Sequence, residues 1–212
     1  MTVRSSETEA VSVPEPPTSP IWAILLAAGA GRRFDAPFHK LDAEIAPGVT
    51  IAAQAIDIVL DAGIGPVAVV TGAHRPAGLD DLADRSPTQL VEIHNPLWEQ
   101  GQITSVRTGI EFAAAHGAEA VVIGLADQPF ITADAWRAVA ASDSPIAVAT
   151  YGGRRANPVR LHRSVWDLLP DTGDEGARSL IRLRPDLVEA VVCEGSSVDI
   201  DTWEDLKPWQ RN

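Results

Sequence analysis

Lys40 is one of only two lysines in a chain of 212 residues, against fifteen arginines. It stands a few residues beyond the run Leu26-Ala27-Ala28-Gly29-Ala30-Gly31-Arg32-Arg33. Small residues let backbone N–H groups approach an anion closely, and the following Arg and Lys add positive charge. No acidic residue falls between Ile21 and Phe34, so the run predicts an electropositive island in a chain of net charge -12. The same residues would also suit an ordinary strand-to-helix turn, with glycines set by backbone conformation and arginines by solubility. Two phosphate-binding motifs are absent: G-x-G-x-x-G would need glycine at Phe34, and no G-K-[ST] follows.

Three aspartates are candidates for a hard cation. Asp127 follows the apolar run Glu119–Ala126 and precedes Gln128-Pro129. A carboxylate leaving a buried strand suits Mg²⁺, which takes carboxylate and phosphate oxygens together; it also suits an Asx turn ahead of proline. Asp199 and Asp201 alternate in Val198-Asp199-Ile200-Asp201-Thr202. If extended, they share one side, and Asp201 or Thr202 is also placed to cap the helix that Trp203-Glu204-Asp205-Leu206 would form. Asp199 is the favoured ligand and Asp201 the favoured cap. Gly101, Ser105 and Arg107 form a ligand-facing turn at a helix start. Asn157-Pro158-Val159 introduces a strand, and Gly173-Asp174-Glu175-Gly176-Ala177-Arg178 introduces a helix with Asp174 as its cap. The five histidines lack metal-ligand spacing and read as surface or core residues. The six tryptophans are scattered, as packing residues are, with no base-stacking platform.

Positioning these groups requires alternating elements. Residues 21–29, 66–72, 89–95 and 119–127 read as buried strands, followed by another near 145–150. Helices are predicted over 50–62, with Ile51, Ala55, Ile58 and Val59 on one face, over 102–116, with Ile103, Val106 and Ile110, and near 132–141. This alternation predicts a mostly parallel sheet covered on both faces, a three-layer α/β/α sandwich in one domain over 21–212. Ligands of such sheets bind beyond the carboxyl ends of the strands, where the candidates fall. Residues 1–20 hold four prolines and few large apolar side chains, the composition of a disordered tail.

With 17 Lys and Arg against 29 Asp and Glu, the global field disfavours nucleic acid and anionic lipid. The single cysteine, Cys193, allows no internal disulfide, and no apolar run reaches the length of a membrane span. A cytoplasmic protein without nucleic-acid or membrane partners is expected.

Taken in order, LAAGAGRR with Lys40, HNPLWEQGQITSVRTGI, LADQPFIT, NPVRLHRSVWDLL, TGDEGARSLI and DIDTWEDL resemble the MobA-like nucleotidyltransferases, most closely the molybdenum-cofactor cytidylyltransferase branch. The resemblance covers residues 22–207. It implies a Rossmann-like fold and attack of a phosphate on the α-phosphorus of a nucleoside triphosphate, with Mg²⁺ and release of pyrophosphate. It assigns Leu26, Ala27, Ala28 and Gly29 to base and ribose, and Gly31, Arg32 and Lys40 to the triphosphate. Thr71, Asn95, Gly101 and Ser105 complete the nucleotide side. Asp127, Asp199 and Asp201 become metal contacts; Lys40, Arg32 and Asp127 become the catalytic set; Asn157, Asp174 and Arg178 face the acceptor. CTP is the favoured nucleotide and a molybdopterin-type cofactor the favoured acceptor, with a molybdenum hydroxylase receiving the product. GTP, another phosphate acceptor, or a non-catalytic cofactor chaperone are the alternatives. The family usually reads S-x-R-M-G before its lysine. Here Gly31-Arg32-Arg33-Phe34-Asp35 is expected to bring the Asp35 charge near the phosphates.

Overall fold

A computed structural model describes residues 17–210. The chain forms β1 (Ile21–Ala27), β2 (Glu44–Ala46), β3 (Val49–Thr50), α1 (Ile51–Ala62), β4 (Val67–Thr71), α2 (Leu79–Arg85), β5 (Leu90–His94) and α3 (Gln102–Ala115). There follow β6 (Ala120–Leu125), α4 (Ala133–Ala140), β7 (Ile146–Tyr151), β8 (Arg154–His162), α5 (Arg178–Leu183), β9 (Val188–Val192) and α6 (Trp203–Leu206). Seven strands make one sheet in the order β5-β4-β1-β6-β8-β7-β9, and β2 pairs with β3 separately. Only β8 runs against its sheet neighbours, β6 and β7; the remaining pairings in the large sheet are parallel.

The alternation in β1 explains why the sheet is covered twice. Ala23, Leu25 and Ala27 enter a core with Ile51 and Ile56 of α1 and Trp136 and Val139 of α4. Trp22, Ile24 and Leu26 point the other way, into a core with Ile103, Val106 and Ile110 of α3 and Leu180 of α5. Successive side chains of a strand face opposite sides, so a strand apolar at every position must be buried on both. The expected face of α3 is the buried one. That of α1 is rotated: Ile56 is fully buried and Ile58 only partly, because α1 packs against α4 as well as the sheet.

The expected tail lies mostly outside the described residues. Its last two residues are tied to the domain. The Ser19 N–H donates to the His116 carbonyl at 3.2 Å, and the Pro20 carbonyl accepts from Glu119 and Ala120 at 2.9 and 3.0 Å.

After β9 the chain turns back across the sheet edge. The Ile200 N–H donates to the Asp127 carbonyl at 2.9 Å, and the Ile200 side chain is fully buried. Asp199 and Asp201 are thereby brought beside Asp127, 72 residues away in sequence from Asp199. The helix cap that follows is Thr202 and not Asp201: the Thr202 hydroxyl accepts from the Asp205 N–H at 3.3 Å, and Asp205 Oδ2 accepts from the Thr202 N–H at 2.8 Å. Thr202→Ala is expected to cost about 1 kcal/mol, read as a lower urea midpoint with an unchanged slope.

Candidate active site

One cleft of about 770 Å³ opens beyond the carboxyl ends of β1 and β6. Around it stand Leu26, Ala27, Ala28, Gly29, Gly31, Arg32, Lys40, Gly101, Ser105, Asp127, Asp174, Arg178, Asp199 and Asp201, all expected from sequence. Gly31 takes φ +60, a left-handed conformation that favours glycine. Among the described residues, no protein acceptor meets the N–H groups of Ala30, Gly31, Arg32 or Arg33. A row of free amides on a tight turn is a receptor for anionic oxygen.

The charge of this loop is not an isolated positive island. Lys40 is nearly buried, and its ammonium donates to Asp127 Oδ2 at 2.5 Å and to Asp201 Oδ1 at 2.9 Å. Burial alone would lower the Lys40 pKa, but the two carboxylates outweigh it and hold the ammonium above its ordinary range. Arg33 reaches Asp201 Oδ2 at 2.9 Å from a side chain that is 75% exposed. Both Asp201 oxygens are therefore engaged by cations. Asp35 is exposed and does not line the cleft. Phe34 is buried, with its ring edge-on to Trp203 at 5.7 Å, and this turns the neighbouring aspartate outward.

Asp127 accepts no backbone N–H, which removes the Asx-turn reading. Its Oδ1 is buried and without a partner. Asp199 Oδ1 accepts from the Gln128 amide at 2.7 Å. Burial, with the charges of Asp127 and Asp201, pushes the Asp199 carboxyl above its ordinary range, against the opposing effect of the Gln128 hydrogen bond. A carboxyl so raised takes up its proton at a higher pH folded than unfolded. Its ionised form therefore costs stability above the folded pKa, and the cost vanishes below the unfolded one. In chelator-treated buffer, Asp199→Asn is expected to raise the melting temperature near neutral pH, with no gain below about pH 4. Equal melting curves at neutral pH would contradict this.

Among the described residues, no three His, Cys, Asp or Glu side chains converge into a ready-made metal site. An ion that keeps several waters and takes one or two carboxylates, as Mg²⁺ does beside phosphates, still fits the orphaned Asp127 Oδ1 and the neighbouring Asp199.

Several expected residues stand elsewhere. Thr71 is buried behind the cleft and donates to Glu92 Oε1 at 3.0 Å. Asn95 is also buried. Its amide donates to the Thr104 and Ser105 hydroxyls, both at 2.9 Å, and its oxygen accepts from the Leu97 N–H, so it braces the first turn of α3. Arg107 turns away to the Leu169 and Pro170 carbonyls and Asp171. Asp174 caps no helix: α5 begins after Ala177 without a side-chain cap. It instead approaches Gly101, where an added Cβ would lie 2.5 Å from the Gly173 carbonyl oxygen and 2.8 Å from Asp174 Oδ1. Gly101 therefore lets the 173–174 turn close over the N-terminus of α3. Asn157 lies in a small crevice beside the cleft, shared with Arg178, and its amide donates to Gln128 Oε1 at 2.8 Å.

That contact brings in Gln128, which lies outside the expected set. Gln128 is buried between Asn157 and Asp199 and fixes the aspartate's direction. Its only sequence signal is its place after Asp127. Trp98, expected to be packing, is half-buried and lines the cleft.

A free-amide turn, a carboxylate-bound lysine and a partly unmatched carboxylate stand together in one cleft at the carboxyl edge of a doubly wound α/β sheet. The chain belongs to the family of the MobA-like NTP transferase domain, whose model matches residues 23–190. It is 30% identical over 200 residues to nicotine blue oxidoreductase of Paenarthrobacter nicotinovorans, covering 88% of this chain and 94% of that protein. It is 35% identical over 112 residues to the purine catabolism protein PucB of Bacillus subtilis, covering 50% and 55%. The fold is shared with a nucleotidyl transferase from Methanothermobacter thermautotrophicus, at TM-score 0.74 and 23% identity over 90% of this chain and 95% of that one. It is also shared with Rv0371c of Mycobacterium tuberculosis in complex with manganese, at TM-score 0.64 and 20% identity over 92% and 99%. Among the described residues, no helix is long and apolar enough to cross a membrane.

Proposed function

We propose that this chain transfers a nucleoside monophosphate, CMP from CTP, to a phosphate of a molybdopterin-type acceptor in the presence of Mg²⁺. The observation that carries the transfer chemistry is the free-amide turn lining one cleft with Lys40 and with Asp127, whose Oδ1 lacks a partner. CTP and the acceptor rest on the resemblance to the cytidylyltransferase branch.

An acceptor phosphate oxygen forms a bond to the α-phosphorus, the bond to the bridging oxygen breaks, and pyrophosphate leaves with the electron pair. Such transfers need in-line positioning and charge neutralisation more than covalent help. The Ala30–Arg33 amides hold the phosphates, Lys40 and Arg32 offset the charge that develops on them, and Arg178 and Asn157 orient the acceptor. Asp127 and Asp199 keep oxygens free for Mg²⁺, whereas Asp201 aims Lys40. Mg²⁺ held by Asp127 and Asp199 would neutralise part of the charge on the phosphates. Manganese in the related Rv0371c is in keeping with a divalent cation in this fold.

The test is pyrophosphate release from CTP, GTP, UTP and ATP with Mg²⁺, with and without molybdopterin acceptor. Acceptor-dependent release from CTP is the expected result. Acceptor binding without release would favour the chaperone. The 30% identity to nicotine blue oxidoreductase favours one further reading, a redox reaction in the same cleft. Binding of none of the four triphosphates would bring that reading ahead of the transferase proposal.

A further inference from the structure

We infer that His39 is a positioning residue that ties the phosphate-binding turn to Lys40 and does so only as the neutral imidazole. The inference deepens the proposed function and rests on it. His39 Nδ1 accepts from the Leu41 N–H at 3.2 Å, capping the single helical turn that starts at Lys40. His39 Nε2 lies 3.0 Å from the Gly29 carbonyl oxygen. An N–H can only donate and a carbonyl can only accept, so Nδ1 must be bare and Nε2 must carry the proton. Both ring nitrogens are committed, one to the anion-binding loop and the other to the turn bearing the lysine.

The packing leaves the ring little freedom. A Cβ at Gly31 would lie 2.8 Å from His39 Nε2, so this glycine also makes room for the imidazole. On the other side the ring stacks on His74, with centroids 4.1 Å apart. His74 Nε2 is 2.7 Å from Asp42 Oδ2, and Asp42 belongs to the turn that His39 caps. Protonating His39 would set an N–H against the Leu41 N–H and break the cap. The charged groups acting on the ring are His74, Asp42 and Lys40. Burial, aided by His74 and Lys40, keeps its pKa below the ordinary histidine value despite the Gly29 carbonyl and Asp42. The neutral form needed for the tie is then retained at neutral pH and lost only on acidification.

Two substitutions separate the two bonds. His39→Asn keeps an acceptor near the Nδ1 position but cannot reach Gly29. His39→Gln places an amide donor near the Nε2 position. Magnesium-CTP binding to the full chain is measured by calorimetry across pH, with melting curves and ¹⁵N imidazole shifts in parallel. The expected result is an Nε2–H tautomer in the unaltered chain and about a tenfold loss of affinity in His39→Asn. His39→Gln should stay within about threefold, and both variants should lack the steepest part of the acid-side decline. If the unaltered chain binds CTP and His39→Asn binds it equally with the same pH profile, the positioning role is overturned alone. If the unaltered chain binds no nucleoside triphosphate at all, the proposed function falls and the inference falls with it.

Discussion

Asp127→Asn is expected to abolish Mg²⁺-dependent pyrophosphate release while leaving the fold intact. The amide preserves volume, and its oxygen can still accept from Lys40, but the charge next to the buried, partnerless Oδ1 is gone. Loss of a metal-anchoring carboxylate should slow turnover by at least roughly three orders of magnitude, about 4 kcal/mol in the barrier. The measurement is turnover at saturating Mg²⁺ and CTP, with circular dichroism as the check on folding. Asp199→Asn should show a related loss of turnover despite its higher stability. Asp201→Asn should act through Lys40, because both oxygens of Asp201 already hold cations. Full turnover in Asp127→Asn would remove the metal assignment and bring the chaperone reading forward.

Lys40→Ala should lower turnover by about two orders of magnitude, and Arg33→Ala by much less. The two cations share Asp201, yet the Lys40 side chain is 11% exposed and that of Arg33 75%. A solvated guanidinium is screened and its ion pair contributes little, whereas a nearly buried ammonium keeps most of its field. Removing Lys40 also leaves Asp127 and Asp201 without a shared counter-charge. A stability loss of roughly 2 kcal/mol is expected, between the values for exposed and buried pairs. Steady-state kinetics beside urea unfolding separates the two effects. Equal and small kinetic effects would take Lys40 out of the site.

The sheet was legible where strands are buried on both faces, since β1, β4 and β6 are near-continuous apolar runs. Edge strand β9 carries exposed Glu189, Ala190 and Val192, so no periodic signal marked it, and β2, β3 and α2 are too short to carry one. The cleft residues were legible because they follow strands. Asn95 follows a strand and Thr71 ends one, but both are buried away from the cleft, a distinction that depends on how the chain folds back. Asp201 was misread as a cap because Thr202, one position on, offers the same chemistry and forms the capping box. The role of His39 carries no sequence signal because its hydrogen-bond partners are backbone groups, which leave no trace in side-chain spacing.

The return of the chain through Ile200 sets how the site would come apart. Asp127 stands two residues beyond β6 of the central sheet, whereas Asp199 and Asp201 ride on a segment anchored by the Ile200 plug, its hydrogen bond to Asp127 and the Thr202 cap. Detaching that segment breaks no strand pairing of the large sheet, so it requires less free energy than global unfolding. Warming would then dismantle the carboxylate cluster and free Lys40 from Asp201 while the sheet is still folded. The working temperature range of the site would then follow this C-terminal strut, and strengthening the strut would widen that range without altering a single group in contact with substrate.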